Sequence, residues 1–169
     1  FAEASYGFTA VDVAAPLDGD GDGPQVFGSY NFYEGFSVFG GAGIMDFSKD
    51  NIELENLEVG FGWHTPLASN ASAFVNVSYL STMVNVGGAP DFDQDGYGIA
   101  LGYRAENRSP WEFIASVDYV NVESAVEFGG SMALVYDATR HLSLTGGFSF
   151  FDESTSGYIG VRYFFDRNH

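Results

Sequence analysis

Hydrophobic and polar residues alternate with a period of two along nearly the whole chain. Tyr6, Phe8 and Ala10 alternate with Ser5, Gly7 and Thr9. Leu57, Val59, Phe61 and Trp63 alternate with Glu58, Gly60, Gly62 and His64. Tyr97, Ile99, Leu101 and Tyr103 stand against Gly98, Ala100, Gly102 and Arg104, and Trp111, Phe113, Val117 and Tyr119 against Glu112, Ile114, Ser116 and Asp118. Successive side chains of a strand point to opposite faces, so this period marks β-strands. Ten are predicted, over 2–12, 25–33, 36–46, 52–64, 72–84, 96–104, 111–121, 126–136, 142–151 and 156–165. In the fourth, Ile52 and Leu54 fall on even positions while Leu57 onward falls on odd ones. A β-bulge near Glu55–Asn56 is expected to absorb that slip.

The connections are of two kinds. Those after the first, third, fifth, seventh and ninth strands are rich in Asp and Glu; the others are short, turn-like and nearly neutral. Alternate connections share one end of an up-and-down barrel, so almost all the acid gathers at one end. Residues 1–169 read as a single domain, with no linker or low-complexity block. Net charge is -17, from 23 acids and 6 bases, which argues against a nucleic-acid-binding face. There is no cysteine, hence no disulfide and no thiolate metal site. No apolar run approaches the roughly 18–20 residues of a membrane helix. The chain opens directly in a strand pattern, so a targeting segment is expected to have been removed already.

One face of every strand carries Tyr, Phe, Trp, Val, Ile and Leu; the other carries Gly, Ser, Thr, Asn and a few charges. Ten strands of bulky residues would overfill the inside of one barrel. Turned outward into lipid they need no interior volume, and strands of about 9–11 residues match a bilayer crossing. The fold class is therefore all-β, an antiparallel up-and-down transmembrane β-barrel of ten strands, with eight as the runner-up if two hairpins stand outside the membrane. Trp63, Trp111, Tyr103, Tyr163 and Phe165, with Tyr33 and Phe36, fall near the short-turn end, and Tyr97, Tyr119, Phe150 and Phe151 near the acidic end. Two such belts suit the two interfaces of a membrane.

The last strand, Tyr158-Ile-Gly-Val-Arg-Tyr-Phe-Phe165, resembles the C-terminal assembly signal of Gram-negative outer-membrane barrels, with Gly160, Tyr163 and Phe165 at the matching places. The chain departs from that pattern by continuing with Asp-Arg-Asn-His. Over its whole length it resembles the small members of that family. The resemblance implies the bacterial outer membrane as the location, with the lipid bilayer and lipopolysaccharide as surroundings. It also implies the outer-membrane assembly machinery as a partner, short periplasmic turns and long extracellular loops. An extracellular protein partner is open.

Two stretches carry candidate chemistry. Asp18, Asp20 and Asp22, and again Asp91, Asp93 and Asp95, follow the D-x-D-x-D-G opening of calcium loops. The twelfth position of each is Ser29 or Gly102, not glutamate, so neither is an EF-hand. What remains is a weak surface site for Ca²⁺ or Mg²⁺, or solvated Asp-Gly turns. An acidic cap beside anionic lipopolysaccharide phosphates is repelled unless cations bridge the two, which favours loops ordered by divalent ions. Inside, Glu3, Glu58, Glu112, Asp118 and Glu127 share the polar face with Arg104 and Arg162. Barrel closure brings Arg162 to Glu3, and a hairpin brings Arg104 to Glu112; such pairs would fix the register. The alternative is a selectivity site in a pore. His64 and His141 lie at the short-turn end and His169 in the tail, with no nucleophile–base pair, so no enzyme is expected. Phe39, Ile114 and Phe164 on the inner face point to a narrow lumen. The function expected is a structural or surface-interaction barrel, the alternative a narrow passive channel that prefers cations.

Overall fold

The computed structural model describes residues 1–11, 19–47, 52–86, 92–106, 110–123, 125–152 and 154–165. Ten strands follow one another: β1 (Ala2–Val11), β2 (Gly19–Tyr33), β3 (Phe36–Phe47), β4 (Ile52–Ala68), β5 (Ala71–Val86), β6 (Phe92–Glu106), β7 (Trp111–Val122), β8 (Ala125–Asp137), β9 (Leu142–Phe151) and β10 (Ser154–Tyr163). Each pairs antiparallel with its sequence neighbours, and β1 closes onto β10, so the sheet has no free edge. This is the ten-stranded up-and-down barrel that the alternation predicts, and not the eight-stranded form.

The bulky face points outward. Phe61, Val117 and Ile159 each expose about two thirds of their surface, at 67%, 66% and 66%, while Gly60, Gly62 and Ser78 on the opposite face are buried. A barrel in water would bury the rings instead, so the solvent of this wall is hydrocarbon.

Two sequence expectations fail at the acidic end. From Gly19 on, the first Asp-Gly stretch is strand and not loop: Asp20 and Asp22 lie within β2, paired with β1 at Ala10 and Phe8. Asp93 and Asp95 likewise lie within β6. The stretch simply continues the alternation, with Asp20 and Asp22 outside and Gly21 and Gly23 inside. Glycine is needed there because the Phe47 ring lies over Gly21, at 2.7 Å from where a Cβ would stand. Asp and Gly favour turns locally, but cross-strand packing overrides that preference here. At this end Asp20, Asp22, Asp46, Glu53, Glu55, Asp93 and Asp95 sit on strand extensions.

The bulge expected in β4 is also absent. The β3–β4 register runs unbroken from Phe36 opposite Trp63 to Phe47 opposite Ile52. What changes is the polarity of the two faces. Ile52 and Leu54 point inward and join Met45, Phe47, Val84 and Val86 in an apolar cluster inside the rim. Glu53 and Glu55 point outward. Beyond the hydrocarbon the outside is water, so burying the apolar side chains within becomes favourable, by about 1.5–3 kcal/mol for each fully buried one. The register shift in β4 lies instead between Pro66 and Ala68, at the short-turn end, where proline lacks the N–H a ladder needs.

Candidate functional site: the lumen and the acidic outer wall

The lumen is filled from the short-turn end. Phe27 and Phe39 stack at 5.8 Å, Phe1 lies 5.9 Å from Phe27 and 5.7 Å from Phe164, and the Arg162 guanidinium sits 4.3 Å over the Phe1 ring. Arg162 Nε donates to Glu3 Oε2 at 2.9 Å, directly across the seam where β1 meets β10. Arg104 Nε lies 2.8 Å from Glu112 Oε1. The two pairs differ in environment: both side chains of the first are under 10% exposed, whereas that of Arg104 is 40% exposed. Ser143, fully buried, donates to Asp137 Oδ1 at 2.6 Å, and Val135 beside it is fully buried as well.

Midway up, Glu58 from β4 and Asp118 from β7 lie within electrostatic reach of each other, although β5 and β6 separate their strands along the wall. Glu58 accepts a hydrogen bond from Ser78. Asp118 accepts one from Ser116 at 2.8 Å, and Ser116 and Ser131 share another at 2.6 Å. This level is acidic and hydroxyl-lined. The two salt bridges found among the described residues both lie nearer the short-turn end. Above it, Thr9 and Ser156 are hydrogen-bonded at 2.7 Å, and the apolar cluster of the rim follows.

On the outer wall the aspartates do not form a cage. Asp18 and Asp91 lie outside the described residues. Asp20 and Asp22 on β2 are separated from Asp93 and Asp95 on β6 by three intervening strands. No group of three acids or histidines able to hold a metal occurs among the described residues. Instead, Tyr6 donates its phenolic O–H to Asp22, and Tyr79 donates to Asp95 Oδ1 at 2.6 Å. Sequence reading missed these two contacts. Carrying the alternation of β2 and β6 back through the Asp-Gly stretches would have put both acids on the tyrosines' face.

Trp63, Trp111, Tyr103 and Tyr163 all project outward, each between 43% and 50% exposed. Trp111 packs on Tyr136 at 4.8 Å between ring centres. Phe165 is past the end of β10, its ring 5.4 Å from that of Tyr163, so the last strand begins and ends two residues earlier than the alternation suggests. His64 faces the lumen near the same end. His141 is in a turn, its ring stacked on Tyr163 at 6.0 Å and its Nδ1 3.0 Å from the Phe164 carbonyl oxygen. His169 lies outside the described residues.

A closed antiparallel barrel with an apolar outer wall and hydroxyls and charges inside is the architecture of an outer-membrane β-barrel. Solved structures agree. The chain is similar to the KdgM porin, at 16% identity and a TM-score of 0.55, over 97% of this chain and 99% of that one. A complex of the KdgM porin with disordered oligogalacturonate aligns with a TM-score of 0.53 at 15% identity, over 97% of this chain and 99% of that one. The NanC porin aligns with a TM-score of 0.53 at 10% identity, over 97% of this chain and 100% of that one. No protein-family model matches the sequence, and no curated protein matches it. This shared fold and the apolar wall together place the chain in the bacterial outer membrane.

Proposed function

We propose that this chain is a side-chain-filled outer-membrane barrel that acts through its acidic rim, in a structural or surface-interaction role. One observation carries the reading: lumen-facing Glu3, Glu112, Arg162 and Ser143 are 8%, 6%, 6% and 0% exposed, values suited to a packed interior and not to the wall of a water-filled pore. Planar-bilayer recording tests it, with no steady conductance steps expected. Steady steps would overturn the reading in favour of the narrow channel. That second reading draws on the likeness to porins and on Glu58 facing Asp118. It requires cation selectivity that weakens in the Glu58→Gln, Asp118→Asn double variant. The oligogalacturonate named with the KdgM porin is a polyanion, and a chain with a net charge of -17 is poorly suited to one.

The cation reading attaches to the outer wall. Asp20 and Asp22, and likewise Asp93 and Asp95, stand two residues apart on one face, which supports loose binding of Ca²⁺ or Mg²⁺ in place of an enclosing site. Calcium titration followed by calorimetry is expected to give heat and a raised unfolding temperature at millimolar concentrations. A flat titration removes this part of the proposal.

A further inference from the structure

On its lipid-facing side the wall of β1–β4 is hollowed. Ala4, Gly28, Gly40 and Ala42 form a floor of small residues, with Leu57 standing on one side and Tyr163 on the other. This hollow measures about 790 Å³. Ala42 and Leu57 also line a second hollow, of about 550 Å³, which continues toward the acidic end between Ile44 and Met83 and finishes at Glu55. The two form one furrow. Along β2 it runs from Gly28 to Pro24 and along β4 from Val59 to Glu55, roughly 13 Å at the rise of a strand. At the roughly 35–45° tilt of barrel strands this is about 10 Å of depth, within one leaflet of the ~30 Å hydrocarbon core.

The next outward row beyond the furrow is acidic. Asp22 is directly opposite Asp46, and Asp46 directly opposite Glu53. Like charges so placed repel. Their described partners are neutral: Tyr6 donates to Asp22, and Asn85 Nδ2 lies 3.5 Å from Glu53 and 3.4 Å from Glu55. Both salt bridges found among the described residues are inside the lumen. An apolar trough within one leaflet, ending in carboxylates, is complementary to an amphiphile with a positive head.

We propose that the furrow seats one acyl chain of a membrane lipid whose headgroup carries a primary ammonium, held at the mouth by Asp46, Glu53 and Glu55. The trough by itself accepts any chain. The acids supply the selection, since an ammonium relieves their repulsion and a bare phosphate adds to it. The site is on the outer wall, so a conductance result on the lumen leaves it untouched.

Native mass spectrometry of the purified barrel tests this, with phosphatidylethanolamine, phosphatidylcholine and phosphatidylglycerol as probes, with and without calcium. In chelator, phosphatidylethanolamine is expected to be retained about fivefold over the other two, the upper end for an exposed ion pair. Ala42→Leu raises the floor of the furrow, and Asp46→Asn with Glu53→Gln and Glu55→Gln removes the charge at its mouth. Each is expected to abolish the preference in a barrel that still shows its folded mobility on a cold gel. Equal retention of the three lipids, or a preference that survives either variant, overturns the proposal. So does retention of phosphatidylglycerol only when calcium is present, which would assign the acids to a cation-bridged phosphate.

Discussion

Replacing Arg162 by alanine is expected to destabilise the barrel by about 3–5 kcal/mol, the typical cost of removing one partner from a buried ion pair. Glu3 would be left as a buried carboxylate without its partner, at the seam that closes β1 on β10. The cost arises from the stranded charge more than from the lost attraction. The double variant Glu3→Gln, Arg162→Met should therefore recover most of the loss. Urea unfolding in lipid vesicles, followed by tryptophan fluorescence, checks both. Arg104→Ala is the second test: Glu112 is as buried as Glu3, at 6% against 8%, so removing its partner strands a carboxylate in the same way and a loss of about 3 kcal/mol is expected. A loss below about 1 kcal/mol from either variant would sink the argument that the stranded carboxylate sets the cost.

The second large effect is expected at Gly23. A Cβ there would overlap the Ile44 carbonyl oxygen of β3, a backbone atom that cannot rotate away. Gly23→Ala must therefore spread β2 from β3, and a loss of about 3 kcal/mol is expected, the upper end of the usual range for overpacking. Gly28→Ala, five residues along the same strand, is the control. Its nearest foreign atom would be 3.6 Å away, an ordinary contact, so unfolding should shift by well under about 1 kcal/mol. Indistinguishable unfolding of the two variants would show that β2 does not pair with β3 in this register.

Strand number, closure and the orientation of the wall are legible in the sequence because period-two alternation records which solvent lies on each side. The same rule misleads where that solvent changes. Ile52 and Leu54 look like a slip in phase because apolar residues are assumed to face outward throughout. Above the hydrocarbon the rule reverses, and the strand needs no bulge. The Asp-Gly stretches mislead for a related reason: their residue types favour turns, while the partner that decides their fate, Phe47, is 26 positions from Gly21 in the chain. The Arg162 to Glu3 contact could be anticipated because antiparallel closure leaves few choices of register. Asp22 opposite Asp46 and Glu53, and the furrow below them, could not. They depend on which outward rows line up across four strands, and a slip of two residues in any one strand leaves its alternation unchanged.

The reversal at the rim also sets how deep the barrel can sit. Below the row of Asp22, Asp46 and Glu53 the outer wall of β1–β4 is apolar except for Glu55, opposite Ile44; at that row it is charged, and the apolar cluster of the rim lies behind it. Sinking by one row would drown three carboxylates in oil, and rising by one would wet Ile44. A bilayer that is too thick cannot be met by tilting alone, so it must thin around this protein. The molecule thus carries its own draught mark, and membranes of differing thickness will not accept it equally.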